Sequence, residues 1–102
     1  MSEISALIVD DSSVMRKIME RTLRQTGLVV AEVFEASSGV EALEVPRQSC
    51  VNLILSDINM PNMDGPEFLR QMRAQKLAPD VPVRMITTEG SEDRVRRRWR
   101  SW

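Results

Sequence analysis

The chain has no histidine and a single cysteine, Cys50, among its 102 residues. Lack of histidine excludes Ser-His-Asp and Cys-His nucleophilic catalysis and His-ligated zinc. A lone cysteine excludes a disulfide framework and any multi-cysteine metal centre. Tyrosine is absent, and the aromatics amount to two Phe and two Trp. No apolar run approaches the roughly 18–20 residues that a membrane span needs. The start, Met1-Ser2-Glu3, is not basic, and the apolar stretch Ala6–Val9 is too short for a secretory leader. These absences predict a cytoplasmic domain. Its reactive chemistry must come from carboxylates, hydroxyls, lysine or arginine.

Hydrophobic residues make up 42% of the chain, enough to build a core. The formal net charge of −1 hides a split. Residues 1–93 hold nine bases against fifteen acids, and Arg94, Arg96, Arg97, Arg98 and Arg100 follow. An acidic body therefore carries a basic tail. Arginine with tryptophan would suit nucleic acid, since cations meet phosphates and indoles stack on bases. An acidic body repels that partner, so direct nucleic-acid or membrane binding is not expected.

Hydrophobic periodicity orders the elements. Ala6–Val9 is an apolar, β-branched run ending in the cap candidates Asp10-Asp11-Ser12-Ser13. Val14, Met15, Ile18, Met19, Thr22 and Leu23 then form a helical stripe, with Gly27 as its stop. Val29–Phe34 alternates like a half-buried strand, with Val30, Glu32 and Phe34 on one side. Val40–Val45 predicts a short helix that Pro46 ends or kinks. Asn52–Ser56 predicts a third strand closed by Asp57. A Pro-, Asn- and Gly-rich loop runs from Asn59 to Gly65, and Pro66 opens a third helix. Val83–Thr87 predicts a fourth strand, and Ser91-Glu92-Asp93 a last helix with acids at its N-terminus. Alternating strands and helices predict an α/β doubly wound parallel sheet.

In such sheets ligands sit beyond the carboxyl ends of the strands, where strand order switches. Asp10 and Asp11 follow the first strand, Asp57 the third, and Thr87 and Thr88 end the fourth. In the flavodoxin-like order these ends adjoin. Three carboxylates so close repel one another unless a cation sits among them. Hard oxygen donors, with no histidine or cysteine, favour Mg²⁺, which usually keeps water and phosphate in its shell. An aspartate can also act as a nucleophile and form an acyl phosphate. The residues therefore read as Mg²⁺-dependent phosphoryl transfer onto an aspartate.

Three segments in order carry a family resemblance: Leu7-Ile8-Val9-Asp10-Asp11-Ser12, Leu53 through Gly65 with Ser56-Asp57-Ile58-Asn59-Met60-Pro61, and Met85-Ile86-Thr87-Thr88-Glu89. The chain resembles the receiver domain of two-component response regulators, in its single-domain chemotaxis form, from about Ser5 to Val95. The resemblance implies that Asp57 accepts a phosphoryl group from the phosphohistidine of a sensor histidine kinase. It implies Asp11 as a direct Mg²⁺ ligand, Asp10 as its water-bridging neighbour, and Asp57 and the Asn59 carbonyl as the remaining protein ligands. Thr87 resembles the hydroxyl that binds the phosphoryl oxygen, and Thr88 the small residue beside it. Asn59 and Glu89 match positions that tune dephosphorylation. The implied output is contact with a downstream protein target. A phosphatase of the haloacid dehalogenase type would need a second aspartate where Asn59 stands.

The family continues through a fifth strand bearing a lysine and a fifth helix, and this sequence has neither. Its lysines, Lys17 and Lys76, fall on the first and third helices. The expectations are a sheet of order 2-1-3-4 with strand four at an edge, and a receiver over 1–95 with a non-family tail over 96–102. Three further expectations follow: Arg84 reaching water at that edge, an apolar patch at Val14 and Ile18, and homo-oligomers through strand four or helix one. The abrupt turn to Arg/Trp after about Arg96 suggests a frameshift or early stop. An alternative function is a switch-defective docking or dimerisation module.

Overall fold

The structure, a computed structural model, describes residues 3–89 and 93–101, with side chains described for 3–86. The elements run β1 Ile4–Val9, α1 Ser13–Arg24, β2 Val30–Ala36, α2 Gly39–Gln48, β3 Leu53–Asp57, α3 Gly65–Ala74, β4 Val83–Glu89 and β5 Asp93–Ser101. The sheet order is β2-β1-β3-β4-β5. β1 to β4 are mutually parallel, so the doubly wound order 2-1-3-4 holds.

Two apolar layers sandwich the sheet. Leu7, Val9, Ile54, Val83 and Met85 pack on α2 and α3 through Ala42, Leu43, Phe68 and Met72. Ala6, Ile8, Leu55 and Ile86 pack on α1 through Met19 and Leu23. The period-2 alternation of β1 thus sends Leu7 and Val9 to one layer, Ala6 and Ile8 to the other. Burial on both faces explains the unbroken apolar runs of β1 and β3.

Several elements differ from expectation. In β2 the pairing jumps from Ile4↔Val30 to Ser5↔Glu32. The extra residue, Ala31, breaks the alternation, so Val30 and Val33 share the α1 layer while Phe34 faces the other. α2 passes through Pro46 to Gln48, and Ser49 N–H closes its last turn on the Val45 carbonyl at 2.8 Å. A proline there removes one N–H in the final turn, a smaller loss than in a mid-helix. Val14 is 67% exposed, while Met15, Met19 and Leu23 centre the stripe. Cys50 is exposed. Lys76 lies beyond the end of α3, in the left-handed conformation.

The largest correction is at the C-terminal side. No helix continues from Asp93. Residues 93–101 instead form β5, antiparallel to β4, with Ile86↔Trp99 and Thr87↔Arg98 in register. Ser91 and Glu92, expected to open that helix, lie outside the described residues. β4 is therefore not an edge, and edge-to-edge association through it loses its basis. Val95 and Trp99 suit a strand, and pairing satisfies the β4 backbone groups. The boundary expected at 95/96 falls inside β5. Arg84 is exposed although its backbone lies between β3 and β5. It reaches water across the α1 face, where a cleft of about 410 Å³ is lined by Thr22, Leu23, Thr26, Leu28, Leu53, Leu55 and Arg84.

Candidate functional site

The carboxyl ends of β1 and β3 bring Asp10, Asp11 and Asp57 together. One oxygen from each carboxylate lies within 4.8 Å of the others. Asp10 and Asp57 are buried and Asp11 is exposed, so the cluster opens to solvent on one side. Such proximity is what a hard divalent cation requires, and oxygen-only donors suit Mg²⁺ over softer metals.

Asp10 is fixed through three of its groups. Its N–H donates to the Ala36 carbonyl at 3.1 Å. Its Oδ1 accepts the Ser12 N–H at 2.9 Å. Its carbonyl accepts Arg16 Nη1 at 2.6 Å. Ser12 in turn caps α1, its Oγ accepting the Met15 N–H at 3.3 Å. The Asp-Asp-Ser run therefore does two jobs at once, ending the strand and starting the helix.

Asp57 ends β3, where it pairs with Ile86 of β4. Its backbone carbonyl accepts the hydroxyl of fully buried Ser56 at 3.0 Å. Ile58 continues the pairing, donating to the Ile86 carbonyl at 3.2 Å and accepting from Gly65 N–H at 2.8 Å. The loop from Asp57 to α3 is thereby pulled tight, with Asn62 at φ 70°. Asp64, in the loop expected from Asn59 to Gly65, caps α3, its Oδ1 accepting the Glu67 N–H at 2.9 Å. Asn59 is exposed within this loop. Thr87, Thr88 and Glu89 continue β4 just past Ile86. Their side chains lie outside the described residues.

Sequence reasoning missed the basic residues behind the acids. Arg16 Nε pairs with Glu35 Oε1 at 2.8 Å, and Lys17 Nζ with Glu35 Oε2 at 3.1 Å. Glu35 sits on β2, opposite Ile8. Arg16 was hidden in the polar face of the α1 stripe. Only its spacing of six residues from Asp10 could have flagged it.

The Arg16 guanidinium, and after it Lys17, hold the Glu35 carboxyl below its usual value of 4.5. A folded pKa below the unfolded one gives stability that is complete above the usual value. That stability is lost as pH falls through the lowered value. Glu35→Gln is therefore expected to lower the denaturant midpoint at neutral pH. The gap to the parent should close as pH drops below about 4.5. A gap that stays constant over that range contradicts the ion pair.

Comparison with known proteins places this geometry. Residues 6–100 match the family described as the response regulator receiver domain. The chain is 42% identical over 90 residues to the "Chemotaxis protein CheY homolog" of Campylobacter jejuni, covering 87% of this chain and 68% of that protein. It is 40% identical over 90 residues to "Chemotaxis protein CheY1" of Helicobacter pylori, covering 87% and 71%. Among solved structures, chemotaxis protein CheY4 of Vibrio cholerae superposes with a TM-score of 0.73 at 38% identity, covering 88% of this chain and 72% of that one. A doubly wound sheet with buried acids at the ends of β1 and β3, and this similarity along nearly the whole chain, make it a member of the response regulator receiver domain family, of the CheY type.

Proposed function

We propose that Asp57 is the phosphoacceptor of this domain, loaded by the phosphohistidine of a sensor histidine kinase. The observation that carries the reading is the convergence of Asp10, Asp11 and Asp57 within 4.8 Å at two adjacent strand ends. A carboxylate oxygen of Asp57 attacks phosphorus, the P–N bond to imidazole breaks, and an acyl phosphate forms while the nitrogen keeps the bonding pair. The chain's own part is positioning and charge management.

Three carboxylate oxygens with one open side fit Mg²⁺. Asp11 and Asp57 would hold it with the Asn59 carbonyl, and Asp10 through water. When bound, the ion offsets the charge that gathers as an anionic donor approaches an acidic site. Thr87 would hold a phosphoryl oxygen through its hydroxyl, with Thr88 beside it. Asn59 and Glu89 would set how easily water reaches the acyl phosphate. Self-phosphorylation by small donors and self-dephosphorylation would then be the only chemistry, and a downstream protein target in the cytoplasm would read the phosphorylated state. No described helix is long and apolar enough to cross a membrane.

The test is intact mass after incubation with acetyl phosphate. One added phosphoryl group is expected with Mg²⁺ present and none after chelation by EDTA. Failure to gain mass across a Mg²⁺ titration refutes the assignment.

A further inference from the structure

The strongest unassigned feature lies behind the acids. The carbonyl that Arg16 holds at 2.6 Å belongs to the peptide unit joining Asp10 to Asp11. That unit is planar, so fixing its oxygen fixes the plane from which the Asp11 side chain departs. Asp11 is the exposed acid of the three and has the most freedom to lose. Arg16 is itself only 16% exposed at its side chain and is anchored by Glu35 at 2.8 Å. Glu35 belongs to β2, whose neighbouring residue Ala36 accepts the Asp10 N–H. The peptide preceding Asp10 is thus tied to β2 directly, and the peptide linking Asp10 to Asp11 is tied to β2 through Arg16 and Glu35.

We infer that Arg16, held by Glu35, is a positioning residue that orients the Asp10–Asp11 peptide so that Asp11 meets a divalent cation. The inference rests on the Mg²⁺-binding reading of the acidic cluster. Charge and geometry make opposite predictions here. Arg16 is a cation near the site, and on electrostatics alone its loss would tighten Mg²⁺ binding. As an orienting group its loss weakens binding, and partners behind a ligand typically account for about 10–100-fold in metal affinity. The fork geometry also matters. A guanidinium reaches the carbonyl and the carboxylate together, whereas an ammonium is a point charge on a flexible stem.

The experiment is calorimetric titration of the full chain with MgCl₂ at fixed pH and ionic strength. Arg16→Met and Glu35→Gln are each expected to weaken Mg²⁺ binding by about tenfold or more. Arg16→Lys keeps the charge and should recover only part of that loss. Lys17→Met removes a neighbouring cation that pairs with Glu35 and Glu20, and should not weaken binding. A metal-free measurement accompanies it: exchange of the Asp11 and Ser12 amide hydrogens, expected to quicken in Arg16→Met. Thermal unfolding checks that each variant folds, and Arg16→Lys carries the comparison if Arg16→Met does not. Unchanged or tighter binding in Arg16→Met overturns the inference. A parent chain that binds no Mg²⁺ overturns the site reading instead, and unaltered amide exchange then overturns the orienting role as well.

Discussion

Asp57→Asn is expected to abolish phosphoryl uptake completely while making the metal-free domain more stable. The two effects have one cause. Asparagine keeps the shape of the side chain but supplies no carboxylate to attack phosphorus, so no acyl phosphate forms. It also removes one of three negative charges whose oxygens lie within 4.8 Å. At such a distance a like pair near a protein surface costs a few kcal/mol, and solvent at exposed Asp11 reduces this to a gain on the order of 1 kcal/mol. A ligand that binds only the folded chain stabilises it according to its occupancy. Excess Mg²⁺ should therefore raise the Tm of the parent much more than that of Asp57→Asn. Intact mass after acetyl phosphate reads the first effect, and thermal unfolding with EDTA or MgCl₂ reads the second. A variant that still gains a phosphoryl group places the acceptor elsewhere. A variant destabilised in EDTA shows that Asp57 is compensated by a cation of the chain itself.

The acids were legible because their signal is local. Asp10 and Asp57 each follow an apolar run long enough to be a strand, and strand ends converge in a doubly wound sheet. The helix stripe of Met15, Met19 and Leu23 was legible for the same reason, being a repeat within one element. What was not legible depends on pairs distant in sequence. Arg16 and Glu35 meet only once β2 lies beside β1, and on a periodicity basis both are ordinary surface charges. The bulge at Ala31 is a property of pairing with β1, invisible in β2 alone. Residues 93–101 show the limit most clearly. Acids at Ser91-Glu92-Asp93 argue for a helix start, a local preference worth tenths of a kcal/mol. An unpaired β4 backbone outweighs it, because every buried N–H and C=O seeks a partner.

Gly65→Ala carries the largest effect expected from a change outside the acids. Gly65 opens α3 and is buried. It adopts no left-handed conformation, so a side chain there costs nothing through φ. The cost is space. A methyl group would press on the Asp57 carbonyl oxygen well inside van der Waals contact, with Met85 Sδ at 2.8 Å and Ile58 Cα at 3.1 Å. Met85 can swing its sulfur aside. The Asp57 carbonyl has little room, because β3 is paired on both sides and that oxygen already accepts the Ser56 hydroxyl. Relief must come from α3 moving out, which stretches the 2.8 Å bond from Gly65 N–H to the Ile58 carbonyl. Overpacking of this kind costs about 1–3 kcal/mol, and the stiffer unfolded chain returns roughly 0.4–1 kcal/mol. The net loss should lower Tm by on the order of 10 °C. Because the strained carbonyl is that of Asp57, the proposed phosphoacceptor, phosphoryl uptake should slow as well. Gly27→Ala separates the two consequences. Its φ of 92° strains any side chain, but nothing lies within 4 Å of the added methyl. It should lose stability with uptake unchanged. Uptake as fast in Gly65→Ala as in the parent would mean that the Asp57 backbone absorbs the clash without moving its carboxylate.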